Sequence, residues 1–432
     1  MSEMREGYKM TELGEIPSEW RIKPIKEVAD IVSGGTPSKS VKSYWENGEI
    51  LWATPTDITK NKSKYIDKTE LSITQLGLEK SSATLLPPGA ILMTSRATIG
   101  ERSIAKTFIT TNQGFKSFIC KADLNNEYMY YALEFLKPYF LVNASGSTFL
   151  EISKAATENQ LMFLPLLKEQ QKIASILSTV DEQIDKTEQL ILKTKELKKG
   201  LMQKLLTKGI GHKEFKQTEL GKIPAEWELI KIEELINRGF ITSHIDGNHG
   251  SLYPRANEFI DSGIPYISAN SIKNGRVNFE MAKYLSEKRA SKFKKGVAKN
   301  GDVLFAHNAT VGPVAKLKTD LDFVILSTSL TLFRCEAKVL SPDYLMYYLM
   351  SPLFINQYQK IMGQTTRNQV PITVQKQLQC IIPNIKEQQK IASILSTVDA
   401  QIEVYEEENA KYEELKKGLM QKLLTGQIRV KC

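Results

Sequence analysis

The sequence has little of what many enzymes and secreted proteins use for chemistry or cross-linking. Its four cysteines, Cys120, Cys335, Cys380 and Cys432, are scattered without a CxxC pair, so neither a disulfide framework nor a cysteine zinc site is indicated. It has no GxxxxGK[ST] phosphate loop, no GxGxxG after a strand and no HExxH pair. These absences favour a binding protein over an enzyme, and we expect no catalytic residue in this chain.

Long apolar runs are also missing. No window offers about 18 uncharged apolar residues, and the charged start MSEMREGYK lacks the core of a signal peptide. We therefore expect a cytoplasmic protein with no membrane partner. The 58 Lys and Arg exceed the 49 Asp and Glu, and this net charge of +9 mildly favours a polyanion as ligand.

Only one local cluster suggests a metal. In the segment SHIDGNHG, His244 and His249 flank Asp246, which could form a metal site or could lie in a solvated loop. The other half of the chain has no counterpart of this segment. The sequence therefore favours the loop, and we predict no metal.

An internal duplication dominates what is present. Residues Lys168–Thr207 recur without a gap as Lys386–Thr425, and the blocks KEQQKIASILSTVD and ELKKGLMQKLLT are identical in both copies. Apolar residues at steps of three and four, among them Leu197 and Leu415, predict one buried stripe on each of two long helices. At about 1.5 Å per residue each helix would be roughly 60 Å long and would need a partner to cover its stripe.

Chain order gives the direction of the helices. The segment between them leads from the end of the first to the start of the second, so packed helices would be antiparallel and related by a pseudo-two-fold axis. Gly200 and Gly418 lie at matching positions inside them. We interpret these glycines as points of close helix approach, with a kink or break as the alternative.

The segments before the helices repeat as well. Tyr8–Trp20 matches Phe215–Trp227, and Gly89–Gly100 matches Gly301–Gly312, where a buried strand leads into a polar loop. The GGTPS turn at Gly34–Ser38 has no clear partner in the second half. The predicted fold class is thus α+β: two similar α+β domains, separated by two long antiparallel helices in a coiled-coil-like arrangement.

The predicted division of the chain follows from these repeats. It comprises a first domain at 1–166, a first spacer helix at 167–207, a linker at 208–214, a second domain at 215–384, a second spacer helix at 385–425 and a tail at 426–432.

These motifs together resemble the DNA-specificity (S, or HsdS) subunits of type I restriction-modification systems. The resemblance rests on the doubled KEQQKIASIL and LKKGLMQKLLT blocks, the lead-in segments TELGEIPSEW and TELGKIPAEW, GGTPS and the SRATIG-type loop. It implies two target-recognition domains that each read one half of a split double-stranded DNA site. It also implies two methyltransferase (M) subunits and restriction (R) subunits as partners. S-adenosylmethionine, ATP and Mg would belong to those partners, and this chain would hold no cofactor.

Polar residues in matched loops are the predicted DNA contacts. Arginine suits guanine, asparagine suits adenine, and lysine suits phosphate, so Arg96 and Arg367, and Asn270 and Asn308, are the candidate base readers. The predicted DNA-binding residues are Thr54, Thr56, Asp57, Lys62, Lys64, Ser95, Arg96, Thr98, Lys116, Ser147, Thr148, Ser268, Asn270, Lys273, His307, Asn308, Thr310, Gln364, Thr365 and Arg367.

The identical helix ends carry more apolar residues than a two-helix seam requires. We predict that the surplus face binds M subunits; the alternative is packing against the chain's own domains. The predicted partner-binding residues are Leu201, Met202, Leu205, Leu206, Leu419, Met420, Leu423 and Leu424. A duplicated coiled-coil scaffold that binds protein partners without reading DNA is the alternative function.

Overall fold

A computed structural model describes residues 5–146, 150–363 and 368–431 of the chain. Within these residues the chain forms two compact units, one comprising the chain up to Glu188 and from Glu407 on, the other Gln189–Glu406. No helix in the described ranges combines the length and the apolar character needed to span a bilayer.

The first domain precedes the first long helix and mixes short strands with short helices. Its strands are β1 (Tyr8–Thr11), β2 (Gly14–Pro17), β3 (Arg21–Pro24), β4 (Ala29–Ser33), β5 (Ile50–Ala53), β6 (Tyr65–Ile66), β7 (Leu71–Ile73), β8 (Ile91–Thr94), β9 (Arg102–Ala105), β10 (Ile109–Thr111), β11 (Phe115–Cys120) and β12 (Leu161–Leu164). Its helices are α1 (Ile25–Val28), α2 (Pro55–Lys60), α3 (Gln75–Glu79), α4 (Asn126–Val142) and α5 (Lys154–Asn159).

The long helix α6 (Leu167–Lys208) follows, then the second domain and the long helix α12 (Ile385–Leu424). The second domain's strands are β13 (Phe215–Thr218), β14 (Gly221–Pro224), β15 (Glu228–Lys231), β16 (Ile241–Asp246), β17 (Phe259–Ile260), β18 (Ile264–Ile267), β19 (Ile272–Lys273), β20 (Arg276–Val277), β21 (Lys283–Leu285), β22 (Val297–Ala298), β23 (Val303–Ala306), β24 (Val314–Lys316), β25 (Val324–Leu326), β26 (Leu330–Cys335) and β27 (Gln379–Ile382). Its helices are α7 (Ile232–Asn237), α8 (Glu287–Ala290), α9 (Pro342–Leu349), α10 (Pro352–Met362) and α11 (Ile372–Gln375).

The two domains share one sheet plan. In the first, a sheet of order β4-β11-β8-β9-β6 lies beside a sheet of order β10-β5-β7; in the second, the orders are β16-β26-β23-β24 and β17-β21-β18-β25-β22. The parallel pair β10–β5 has its counterpart in β25–β18. The central strands β8 and β23 are buried throughout, as expected of short apolar runs covered on both faces. The duplicated sequence therefore gives a duplicated α+β fold.

Each unit contains parts of both long helices, and in each unit these parts run antiparallel. In the first, Glu169 pairs with Arg429 beyond the end of α12, and Asp181 pairs with Lys416 at 2.9 Å. In the second, the ion pairs are Lys195–Glu406 and Lys198–Asp399. Residue numbers thus rise along one helix as they fall along the other, as chain order predicts.

The apolar helix ends pack against the chain's own domains, so for the six buried residues among them the predicted M-binding role is corrected to the alternative, core packing. Six of the eight predicted partner-binding residues are at most 8% exposed, and Leu201 and Leu419 are partly buried. They join the domain cores because the domains cover the helix faces on which they lie. The residues concerned are Leu201, Met202, Leu205 and Leu206 in the second unit and Leu419, Met420, Leu423 and Leu424 in the first.

Two further helix predictions are also corrected. Gly200 and Gly418 lie inside unbroken helices, and a Cβ added at either would meet no described atom within 4 Å, so neither close approach nor a break explains them. Leu197 and Leu415, predicted to lie on the buried stripe, are 55% and 48% exposed. The helical repeat is right, but the predicted buried stripe is interrupted at Leu197 and Leu415, just before the buried carboxyl ends.

Candidate nucleic-acid interface

The loops that leave β8 and β23, residues 95–98 and 307–310, have the same backbone in both domains. We call them recognition loops. Ala97 and Ala309 adopt the left-handed conformation with φ of 57° and 62°, which is uncommon for residues other than glycine. The amide of Thr98 donates to the carbonyl of Arg96 at 2.6 Å, and that of Thr310 to Asn308 at 2.9 Å. A shared, strained turn thus presents different side chains.

Each recognition loop is held at its first residue by two neighbouring segments. Ser95 donates its amide to Gly114 at 2.7 Å and accepts from Ile152 at 3.0 Å. His307 donates to Ser329 at 2.9 Å and accepts from Val370 at 2.8 Å. Because Ser95 is fully buried and His307 only 7% exposed, their predicted direct DNA contacts are corrected to loop anchors.

Beyond these anchors the loops are accessible. Arg96, Thr98 and Thr310 are exposed, and Asn308 is partly so. These four side chains are the predicted loop residues that a duplex could reach without rearrangement.

In the first domain the recognition loop is supported by charge. The carboxylate of Glu151 lies 2.8 Å from the Arg96 guanidinium and 3.5 Å from the Lys116 ammonium. The Lys116 side chain is only 7% exposed. A buried ammonium already paired with a carboxylate is not free for a phosphate, so the predicted phosphate contact of Lys116 is corrected to a support of the loop.

In the second domain the matching support carries neutral groups, and Gln369 forms the backbone bridge to Asn308 that Glu151 forms to Arg96. Thr331 pairs with Phe305 in the register in which Lys116 pairs with Met93. Gln375 donates to the Thr331 hydroxyl at 3.0 Å, and its carbonyl oxygen lies 3.0 Å from Nε2 of His244.

Burial lowers the pKa of His244 to about 4, so its ring is neutral at pH 7. Burial also lowers the pKa of His307. The support of the second recognition loop is therefore uncharged.

A second pair of loops follows β5 and β18, and in the second domain the amide of Ala269 in this loop donates to the hydroxyl of Ser329 at 2.9 Å. Thr56 and Asn270 are exposed, and Ser268 is partly buried. Asp57, by contrast, uses both carboxylate oxygens within the chain, accepting from the amide of Thr54 at 2.8 Å and that of Glu70 at 2.8 Å. Thr54 and Asp57 thus form a capping interaction at the start of α2, and their predicted DNA contacts are corrected accordingly.

The remaining predicted lysines differ in accessibility. Lys62 and Lys273 are exposed. The ammonium of Lys64 lies 3.2 Å from Glu127 and donates to the Ser178 hydroxyl on α6 at 2.9 Å. Lys64 therefore holds the first domain on its own helix, and the predicted phosphate contact is wrong. The predicted residues Ser147, Thr148, Gln364, Thr365 and Arg367 lie outside the described residues.

One shared feature of the site escaped the sequence comparison. A Cβ on Gly34 would lie 2.0 Å from the carbonyl oxygen of Asn112, and one on Gly247 would lie 2.1 Å from that of Ser327. Both glycines follow the edge strand, β4 or β16, and pack against the end of β10 or β25. The GGTPS turn therefore has a counterpart in the second half. The signal for it was a glycine that directly follows the matching strand in each repeat.

The SHIDGNHG segment is not the solvated loop that the sequence favours. His244 lies on β16, and His249 is 9% exposed with Nε2 2.7 Å from the Leu326 carbonyl oxygen. Among the described residues, no group of three His, Cys, Asp or Glu side chains could hold a metal ion. These histidines pack the second domain.

Comparisons with known proteins assign both repeats to one family. Residues 17–196 and 224–414 match the family described as Type I restriction modification DNA specificity domain. The MjaIX and MjaVIII type I restriction enzyme specificity subunits of Methanocaldococcus jannaschii are 26% identical over 432 residues and 27% identical over 431 residues. These alignments cover 98% and 99% of this chain and 96% and 97% of the relatives.

The fold has a solved counterpart. The crystal structure of a type I restriction-modification S subunit from M. genitalium has a TM-score of 0.59 at 14% identity, over 96% of this chain and 98% of that one. At this identity the likeness is one of fold.

Proposed function

Since this chain belongs to the type I restriction-modification DNA specificity family, we propose that it is the subunit that reads DNA sequence for such a complex. Each α+β domain would bind one half of a split duplex site, and the chain itself would catalyse nothing. The observation that carries the proposal is the pair of recognition loops. One backbone geometry occurs once in each repeat, with Arg96 in one loop and Asn308 in the other.

The chemistry of these two side chains predicts different half-sites. A guanidinium can donate two hydrogen bonds to O6 and N7 of guanine, whereas a carboxamide matches N6 and N7 of adenine. Arg96 is also oriented by Glu151, so its planar group is already restrained before DNA arrives. A site read by two unlike loops would be asymmetric. The accessible neighbours that would complete the contacts with DNA are Thr98, Thr310, Thr56 and Asn270.

Partner subunits would supply the catalysis. We propose that two M subunits dock on the long helices and that R subunits join them, with S-adenosylmethionine, ATP and Mg bound by these partners. The helix ends are largely covered by the chain's own domains and offer little surface for docking. Leu197 and Leu415, at matching positions of α6 and α12, are the exposed apolar side chains that fit this role better.

Methylome sequencing of the host with and without this gene tests the proposal. We expect deletion to abolish adenine methylation at one split, asymmetric motif and to leave other motifs methylated. A protein scaffold that does not read DNA would leave every motif methylated, and the assembled complex would then show no salt-dependent affinity for any duplex.

A further inference from the structure

The second domain carries a strongly basic segment that the first domain lacks. Residues 288–299, KRASKFKKGVAK, contain six Lys and Arg and no Asp or Glu. We call this segment the basic loop. The two domains align without a gap here, since the helix cap Ser286 matches Thr74 and Gly312 matches Gly100. The matching residues 76–87, LGLEKSSATLLP, contain one lysine and one glutamate.

The basic loop has a fixed backbone. Phe293 is 6% exposed, and its ring centroid lies 4.3 Å from that of His249. Gly296 adopts a φ of 63°, and its carbonyl oxygen accepts from the amide of Leu326 at 2.8 Å. Val297 continues into β22, which pairs with β25. The exposed lysines between these anchors thus extend from an ordered segment, which lowers the entropy cost of binding.

The lysines of the basic loop differ from its arginine in their charge pairing. Arg289 pairs with Glu258 at 2.6 Å. By contrast, no ion pair to Lys292, Lys294 or Lys295 occurs within the described ranges, and all three side chains are exposed. Like charges held close together repel one another, and a polyanion would relieve that repulsion.

The basic loop adjoins the segments that hold the second recognition loop. A Cβ on Gly296 would lie 2.8 Å from Cα of Gly247, and Gly247 packs on Ser327. The hydroxyls of Ser327 and Ser329 lie 2.6 Å apart, and the carbonyl of Ser329 accepts from the amide of His307. A duplex that meets the recognition loop would therefore pass close to these lysines.

We propose that the basic loop binds DNA phosphates beside the second half-site, through Lys292, Lys294 and Lys295, and that the first domain has no equivalent contact. The inference rests on the proposed DNA-reading function. It makes the second domain the source of a larger share of the salt-dependent affinity, while sequence preference stays with the recognition loops.

Replacing two lysines by the residues at the matching positions of the first domain tests the inference. The double variant Lys294→Ser, Lys295→Ala keeps Phe293 and Gly296. Its affinity, in the full chain assembled with its methyltransferase partner, would be measured between 50 and 300 mM salt. The probes are a duplex carrying the motif found by methylome sequencing and a scrambled duplex of equal length. We expect the slope of log K against log salt to become shallower by about 1.8, and affinity at 0.15 M salt to fall about 30-fold. Both duplexes should lose affinity alike.

Two further variants serve as controls. Lys294→Arg with Lys295→Arg keeps the charge and should keep the slope. Lys216→Ser with Lys222→Ala removes two exposed lysines from the β13–β14 hairpin and should leave the slope unchanged. If the basic-loop double variant kept the wild-type slope, with unchanged thermal unfolding, the inference would be wrong and DNA reading would stand. If the wild-type complex bound no duplex in a salt-dependent way, the proposed function and the inference would both fail.

Discussion

The two repeats agree where each domain meets its long helix and differ where each domain faces the candidate DNA site. Glu169 accepts from the indole of Trp20 at 2.9 Å, and Glu387 accepts from that of Trp227 at 2.9 Å. Both carboxylates belong to the identical KEQQ block. Sequence identity between the repeats therefore marks the contacts that hold each domain to its helix.

The next contacts along the helices repeat in the same way. Tyr131 donates to Asp181, which pairs with Lys416, and Tyr347 donates to Asp399, which pairs with Lys198. Such hydrogen-bonded charges are costly to alter singly, because the remaining partner would stay partly buried without its counter-charge.

The residues that support the recognition loops, by contrast, differ between the two repeats. The ion pairs of Glu151 in the first domain stand against the neutral network of Gln375 in the second. The same backbone turn is thus compatible with a charged or an uncharged support. Side chains there are free to diverge because they do not maintain the domain–helix contacts.

The largest effect should come from removing one of the two carboxylates that hold a domain to its long helix. Glu169→Ala removes the partner of Trp20 and Arg429, and we expect the free energy of unfolding to fall by about 3 kcal/mol, as when one partner of a buried pair is lost. Glu387→Ala should behave alike, since His212 and Trp227 lose the same acceptor. Urea unfolding measures both.

Glu19 provides the matched control for the buried carboxylate of Glu169. It also contacts Arg429 but is exposed, so Glu19→Ala should change stability little. If Glu19→Ala and Glu169→Ala lowered the free energy of unfolding equally, the buried carboxylate would not be the group that holds the domain to its helix.

Removing each of the two candidate base readers in turn sharpens the comparison between the two recognition loops. Arg96→Ala should cost about 1–3 kcal/mol of binding free energy for one half-site only, and Asn308→Ala a similar amount for the other. Competition binding with duplexes altered in one half-site at a time separates the two. Unchanged affinity, sequence preference and salt slope in Arg96→Ala would remove that residue from the interface.

Acid should distinguish the two domains because only the second has buried histidines at these positions. His244 has a pKa of about 4 in the folded chain against about 6.5 when unfolded. Well above pH 6.5 the ring is neutral in the folded and the unfolded state, so the free energy of unfolding has its full value. As pH falls from 6.5 to 4 the unfolded state takes up the proton first, and about 2 kcal/mol should be lost by pH 5.

His244→Ile places in the second domain the residue that Ile31 provides in the first. The variant should lose stability at neutral pH, since Gln375 loses a partner, but its urea midpoint should vary less between pH 7 and pH 5. An undiminished acid dependence would show that other groups titrate.

The smallest expected effect concerns the helix glycines. Because a Cβ at Gly200 or Gly418 would meet open space, Gly200→Ala and Gly418→Ala should each stabilise the helix by about 1 kcal/mol. Thermal unfolding tests this. Gly209→Ala should do the opposite, since its φ is 61° and a Cβ would lie 2.5 Å from the Trp227 ring. Stabilisation by all three changes would contradict the close packing of Gly209 on Trp227.

Much of the site was predictable because it depends on local pattern. The strand and loop at Gly89–Gly100 and its match at Gly301–Gly312 locate both recognition loops from sequence alone. Which residues are free to act there was not predictable. Lys64 and Lys116 look like Lys62 in the sequence, yet they form ion pairs with Glu127 and Glu151. Those carboxylates are distant in sequence, and no local pattern pairs them with the lysines.

The sequence by itself determined the duplication, the two long helices, their antiparallel order and the family, because repeats, helical periodicity and chain order are properties of the chain alone. Only the tertiary structure decided that the helix ends are covered by the chain's own domains, that Gly247 matches Gly34, and that the basic loop adjoins the segments that hold the second recognition loop. Burial and charge pairing arise between residues far apart in sequence, so they are settled only when the chain has folded.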